Sequence, residues 1–475
     1  MSGSGYENPL VERYASPEMC LLFSAETKFR TWRKLWIALA EAQKELSFQQ
    51  IPITEEQLEE LRQFQDRLNL EVAQEYESKF KHDVMAHIHA YGDQCPKARS
   101  ILHLGATSAY VSDNTDLILI REGVKLIQRR LRSLMKTLAD FARTYHQTPT
   151  LAYTHFQPAQ LTTVGKRACL WLQDLKMDWE SLSHFLGTLK FLGVKGTTGT
   201  QASFLYLFAG DEEKVIQLDQ KVAQKMGFAT PFMISGQTYP RKVDVYVLQL
   251  LAGLGQSAHK FAEDLRLLSH LQEIEEPMEA EQVGSSAMAF KQNPIRSERI
   301  CALARFVMIL VQNGFFTAAT QWFERTLDDS ANRRLTIPQA FLAVDAILLL
   351  YHYILKGIRV HEEKIQQHVQ QELPFMATEL ILMEACKQGG DRQILHERIR
   401  QASFLVRAEV QKGYPNQLLS RLQNDPLFQG VPLETLMNPK AIYGRAPEQV
   451  LAFLKQEIEP LFSDEMPPEE ISLRV

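Results

Sequence analysis

Along this chain apolar residues recur at steps of three and four far more often than they alternate, and that spacing predicts helices. Residues 31–46 set Trp32, Leu35, Trp36, Leu39 and Ala42 on one side. Residues 115–145 do the same with Leu119, Val124, Ile127, Leu131, Leu134, Leu138 and Phe141, and residues 162–189 continue in that style. In residues 243–276 the run Val247, Leu251, Leu254, Ala258, Phe261, Leu265, Leu268 and Leu271 ends at Pro277. As a helix it would be roughly 50 Å long. Residues 297–321 and 338–360 predict two more rods, and several rods of this length imply an elongated bundle. Residues 302–310 are apolar on several faces through Leu303, Phe306, Val307, Ile309 and Leu310. A helix of that kind needs partners on several faces, which predicts assembly through the bundle.

Three interruptions, at 93–112, 191–200 and 277–294, are rich in Gly, Ser, Thr or Pro and predict ordered loops, where functional groups usually sit. Beyond about His361 the helices shorten and turn residues multiply. The expectation is an all-α chain of three helical domains: 1–111, a central long-helix domain 112–360, and 361–475.

Size and charge narrow the classes. A chain of 475 residues exceeds one ordinary core. A net charge of −5 argues against a general nucleic-acid or membrane-surface binder, while leaving room for a local basic pocket. The five cysteines are scattered, with no Cys-x-x-Cys pair, so neither a disulfide framework nor a zinc ribbon is expected. Residues 1–10 lack an apolar signal core, and the apolar runs 306–311 and 346–350 are shorter than a membrane span. These features predict a cytoplasmic protein with no nucleic-acid or membrane partner.

The candidate chemistry falls in the interruptions and beside them. Residues 284–294 (GSSAMAFKQNP) bring Ser285, Ser286, Lys291 and Asn293 together. The set suits a substrate rich in carboxylate, although a polar interhelical loop would look similar. Residues 154–160 (THFQPAQ) place His155 between hydroxyl and amide groups, where it can serve as a general acid or base. Residues 103–108 (HLGATS) put Thr107 and Ser108 ahead of a predicted helix, as anion donors or simply as caps. Lys81, His82 and Asp83 open a stretch holding also His87 and His89. A metal reading of those three histidines is weak, since His87 and His89 cannot share a helix face. Residues 322–334 gather Arg325, Ser330, Arg333 and Arg334, natural phosphate ligands or a self-neutralising charge cluster. The Gly-rich run 193–201 lacks the strand–helix context of a dinucleotide fingerprint.

Taken in order, these segments resemble the adenylosuccinate lyase family of the fumarase/aspartase superfamily. Residues 284–293 are similar to its signature G-S-S-x-M-P-x-K-x-N, 154–160 to T-H-x-Q-P-A-Q, 103–108 to H-x-G-x-T-S, and 322–334 to its phosphate-contact segment. Two departures stand out: Ala289 replaces the signature Pro, and Lys81 stands where the family usually has Arg. The resemblance implies a fumarase/aspartase-like bundle forming a shared core in a homotetramer, with active sites taking motifs from several subunits. It implies β-elimination of fumarate from adenylosuccinate, giving AMP, and from the succinyl-aminoimidazole carboxamide ribotide, with no metal, flavin or nicotinamide. In the implied roles Ser285 is the base on a closing loop and His155 the general acid. His82 supports the acid or meets phosphate, and Lys291 with Asn293 stabilises the charge that builds on the carboxylate. Arg13, Tyr14, Lys81, Asp83, Thr107, Ser108, Gln237, Arg299, Arg325, Ser330 and Arg334 hold the substrate. The alternatives are another superfamily lyase, such as one acting on argininosuccinate, or a catalytically impaired helical homologue.

Overall fold

The computed structural model describes residues 5–47, 51–279, 281–462 and 473. The helices that position the site are α1 (Ala25–Glu45), α2 (Asp83–Gln94), α3 (Ser108–Thr144), α4 (Val164–Thr188), α5 (Lys242–His270), α6 (Ile295–Ala319), α7 (Asp329–Gly357) and α8 (Glu362–Met376). Strands β1 (Pro149–Thr154) and β2 (Gln157–Thr163) form an antiparallel hairpin. The two-residue strands β3 (Ile274–Glu275) and β4 (Arg359–Val360) pair with each other.

The long rods follow the expected pattern, with shifted ends. Helix α3 starts seven residues earlier than its apolar run, since Ser108 and the polar residues after it continue the helix from Thr107. Helix α7 starts at Asp329, so Pro338 lies inside it and not at its start. Its first turns are held by buried ion pairs of Asp329 and Arg333, which offset the hydrogen bond that Pro338 cannot donate. Helix α5 stops at His270, because Ile274 and Glu275 are taken up by pairing with Val360 and Arg359. The hairpin was not expected. Its strands alternate too weakly to stand out, and it is held partly by packing on α8.

Helices α3, α5 and α7 run parallel and α6 runs back. Arg333 of α7 meets Asp116 of α3, Asp345 meets Arg130, and His352 meets Thr137, so the two helices stay in step along their length. Gly314 near the end of α6 lies against Val245 and Leu248 at the start of α5, while Cys301 near the start of α6 meets Arg266 near the end of α5. We call the end where α3, α5 and α7 begin the head, and the opposite end the foot. Between them the core is aromatic and aliphatic: Phe261 stacks on Tyr351 at 3.8 Å between centroids, and Trp171 meets Phe261 edge-on.

Helices α6 and α7 are each long and apolar enough to cross a membrane by length and composition, a feature the shorter runs did not suggest. Their settings differ. Most of the apolar stretch of α7 is buried inside the bundle, but only a third of that of α6 is. Ile309 and Phe316 of α6 are exposed in the single chain.

Candidate active site

At the surface of the head the starts of α2, α3 and α7 come together. His82 caps α2, accepting from the Met85 N–H, and Ser108 is the first residue of α3. The Ser108 hydroxyl lies 3.4 Å from His82 Nε2, and Arg334 in the second turn of α7 reaches Asp83 at 3.5 Å. Helix N-termini carry partial positive charge and free N–H groups, so their convergence favours an anion. Gln237 hangs over the same end: its N–H donates to the Glu324 carbonyl and its side chain to the Thr197 carbonyl. Lys81, Thr107, Arg325 and Ser330 complete the predicted residues found at this end. The loops there lie backbone to backbone. A Cβ on Gly199, whose φ is +85°, would sit 2.0 Å from the Ser235 carbonyl oxygen.

Under this surface lies a buried ion lattice, only fragments of which fall in the motif segments. Arg241 bonds Asp329 at 2.6 Å and Asp113 at 2.8 Å, and Arg333 bonds Asp244 at 2.6 Å and Asp116 at 3.0 Å. The Tyr239 hydroxyl donates to Asp244, and Arg325 adds a bond to Asp329. Burial works against the charge on Asp329, yet Arg241 and Arg325 hold its carboxyl below the usual range. The lattice ties the starts of α3, α5 and α7 to one another. Charged residues at inward positions of predicted helices were the available signal.

His103, seen in its motif but given no role, accepts at Nδ1 from Trp36 Nε1 at 2.9 Å. That bond leaves its proton on Nε2. Burial, with His82 nearby, lowers its pKa to about 4, so the ring stays neutral. The three clustered histidines diverge: His87 is buried against Phe29 at 3.7 Å between ring centroids, His89 lies among Tyr76, Phe80 and Arg99, and His82 faces Ser108. Elsewhere, His259, Glu263 and Cys301 approach within 4.8 Å, but the Arg266 guanidinium already donates to Cys301 and pairs with Glu263.

The foot carries a different set. Ser285 Oγ accepts from the N–H groups of Ala287 and Met288 at 3.3 and 3.1 Å. The Asn293 amide donates to the Gly284 carbonyl at 2.8 Å and closes the neck of the loop. Lys291 is exposed. Glu276 accepts from the first N–H groups of α6, those of Arg296 and Ser297, and so fixes where the loop ends. The Arg299 guanidinium lies 5.5 Å from the centre of the Tyr14 ring, with Arg13 beside it in the turn Leu10–Tyr14.

His155 stands apart from both sets. It and Phe156 form the exposed tip of the β1–β2 hairpin, with φ of 52° and 56°. Among the described residues, no hydrogen bond or ion pair joins His155 to Ser285 or to His82. Among the described residues, nine non-glycine residues have positive φ, and Lys81, His103, His155, Phe156, Gln201 and Phe323, six of the nine, fall within the segments singled out from sequence. Such strain persists where the surroundings enforce it, and it concentrates at functional sites.

Helical rise sets the distances between these sets. Arg333 of α7 pairs with the head of α3, whereas Gly357 of α7 packs on Pro277 at the neck of the serine loop. The intervening residues span about 36 Å. Within one chain the serine loop and the head therefore cannot meet across a single small ligand.

A family model described as lyase matches residues 18–309, and a second, described as adenylosuccinate lyase C-terminus, matches residues 374–453. An adenylosuccinate lyase of Schizosaccharomyces pombe is 47% identical over 458 residues, spanning 95% of this chain and 95% of that protein. Those of Saccharomyces cerevisiae and Schistosoma mansoni are 46% and 45% identical, each over 95% or more of both chains. Among solved structures, a fumarate lyase from Mesorhizobium sp. BNC1 superposes with a TM-score of 0.81 at 23% identity, covering 95% of this chain and 100% of that one. A 3-carboxy-cis,cis-muconate lactonizing enzyme from Pseudomonas putida does so with a TM-score of 0.81 at 21% identity, covering 95% and 99%. The last two describe the shared fold.

Proposed function

The chain belongs to the adenylosuccinate lyase family and is a fumarate-releasing C–N lyase, and from that premise we propose that its active centres are assembled from several copies of the chain. The observation that carries this reading is the separation of the motif residues: head, foot and hairpin tip each hold part of one chemistry, with about 36 Å between head and loop. The exposed apolar face of α6 supports it, since a second copy would cover Ile309 and Phe316. A homotetramer built through the long helices brings the foot of one copy to the head of another.

In that arrangement the head binds the nucleotide's phosphoryl group and the foot grips the succinyl arm. Ser285 removes a proton from the carbon next to the distal carboxylate, the C–N bond breaks, and the electron pair leaves on the purine nitrogen. His155, brought by the hairpin of another copy, gives that nitrogen its proton. Two N–H groups at Ser285 Oγ lower the cost of an alkoxide there, as the base role requires. Lys291, Asn293 and Arg299 meet the carboxylates whose charge grows in the transition state. The succinyl-aminoimidazole carboxamide ribotide presents the same arm and phosphoryl group and is a second substrate.

Mixing tests the reading. Ser285→Ala and His155→Ala homo-oligomers are each expected to be nearly inactive on adenylosuccinate. Co-refolding the two should restore a sizeable fraction of turnover, because some centres then receive an intact serine and an intact histidine from different copies. Co-refolded oligomers that stay inactive would mean that one chain supplies both groups.

A further inference from the structure

We propose that Lys28, outside every motif segment, is a further substrate-binding residue whose ammonium meets the nucleotide's phosphoryl group at the head; this rests on the site reading above. Lys28 lies in the first turn of α1 and is half-buried. Its Nζ lies 4.9 Å from the centre of the Trp32 ring and 5.2 Å from that of Phe29. This aromatic shelf is anchored, because Phe29 stacks on His87 of α2, the helix that His82 caps. The charged groups around Lys28 are those of the head itself: Arg334, Asp83 and Asp116, with Glu77 beyond them.

What sets Lys28 apart is its missing counter-ion. Arg241, Arg333 and Arg325 are bonded to buried carboxylates, and Arg334 reaches Asp83. Among the described residues the Lys28 ammonium makes no hydrogen bond or ion pair. Burial comes first, and Arg334 second, in pushing its pKa down, against the pull of Asp83 and Asp116. A half-buried ammonium costs free energy to hold, and two ring faces offset only part of that cost. An arriving dianion would supply the partner. A phosphoryl group fits better than a carboxylate, since three helix N-termini open on the same spot and the carboxylate-binding candidates lie at the foot.

The test compares substrates with and without the phosphoryl group. Lys28→Met is expected to lower kcat/KM for adenylosuccinate by about 10- to 100-fold, the worth of one charged contact. It should act mostly through KM and leave kcat/KM for the 5′-dephosphorylated nucleoside close to wild type. AMP should weaken as an inhibitor by a similar factor and adenosine should not. Lys28→Arg should recover most of the loss. The ratio of the two substrates is insensitive to partial misfolding, because both meet the same folded fraction. Equal losses on nucleotide and nucleoside, or no loss on the nucleotide, would overturn the assignment. A wild-type protein inactive on adenylosuccinate would instead overturn the reading of the site.

Discussion

The two ends of the bundle are built on opposite principles. At the head, three helix starts are fixed by buried Arg–Asp bonds, the loops lie backbone to backbone at Gly199, and a neutral His103 is held by Trp36. At the foot, the serine loop hangs between a two-residue strand and the start of α6, closed by one Asn293 bond and stopped by the Glu276 cap. A site that must recognise a fixed anion gains from donors set in place before the ligand arrives. A site that must generate an alkoxide gains from a loop able to close and exclude water. The contrast supports the proposed division, in which the rigid end recognises the nucleotide and the loop and hairpin transfer the protons.

Removing a reacting group should have the largest effect. Ser285→Ala is expected to lower kcat by about 10³-fold or more, with AMP binding within a few-fold of wild type. Calorimetric titration with AMP beside steady-state assays measures both. Loss of AMP binding in step with kcat would break the division of labour between the ends. Next comes the lattice. Arg333→Ala leaves Asp244 and Asp116 without their cation and should cost about 3–5 kcal/mol, read as a fall in the denaturant midpoint. A cost below about 1 kcal/mol would mean that the lattice does not hold the head together.

The same contrast governs what sequence could disclose. The rods were legible because Val247, Leu251, Leu254, Ala258 and Phe261 repeat at helical spacing, and all five are buried. The site segments were legible as motifs, since their chemistry needs particular residue types at fixed spacings. The lattice was not, because Asp113, the pair Arg241 and Asp244, and Arg333 belong to three separate stretches whose meeting depends on how the helices align. The hairpin was missed because its turn uses His155 and Phe156 in the left-handed conformation, where Asn-Gly would have announced a two-residue turn.

Acid should set the head apart from the middle of the bundle by a smaller margin. Burial, reinforced by Arg33 and Lys28, lowers the pKa of His87 to about 4 from 6.5. His87 is thus neutral when folded, and the unfolded chain binds the extra proton. Its contribution, roughly 3 kcal/mol at most, is fully present above pH 6.5 and lost as pH falls toward 4. Asp178, between α4 and α5, has the opposite sense. Burial raises it to about 7, against the pull of the Ser257 hydroxyl, so the folded chain binds a proton there that the unfolded chain takes up only near 3.8. Acid therefore strengthens the α4–α5 contact while it loosens α1 and α2. Fluorescence of Trp32 and Trp36, which touch His87 and His103, should change between pH 6.5 and 4 before helical content falls. Simultaneous loss of both signals would show that the head has no acid sensitivity of its own.

The smallest expected effect sharpens the contrast at the foot. Ala289 stands where the signature carries Pro, in the turn closed by the bond from the Lys291 N–H to the Met288 carbonyl. Its own N–H makes no hydrogen bond among the described residues, so Ala289→Pro removes none. The bonds from Ala287 and Met288 to Ser285 Oγ lie upstream and are retained if Met288 accepts the extended bias that a following Pro imposes. The substitution should then narrow the states open to the loop by about 0.4–1 kcal/mol. Slower proteolysis within 284–293 and a two- to five-fold gain in kcat/KM, with an unchanged denaturant midpoint, are expected. A fall in kcat/KM would mean that the Ser285 oxygen depends on a turn only a non-proline residue can make, and that closure at this end is limited by geometry and not by loop entropy.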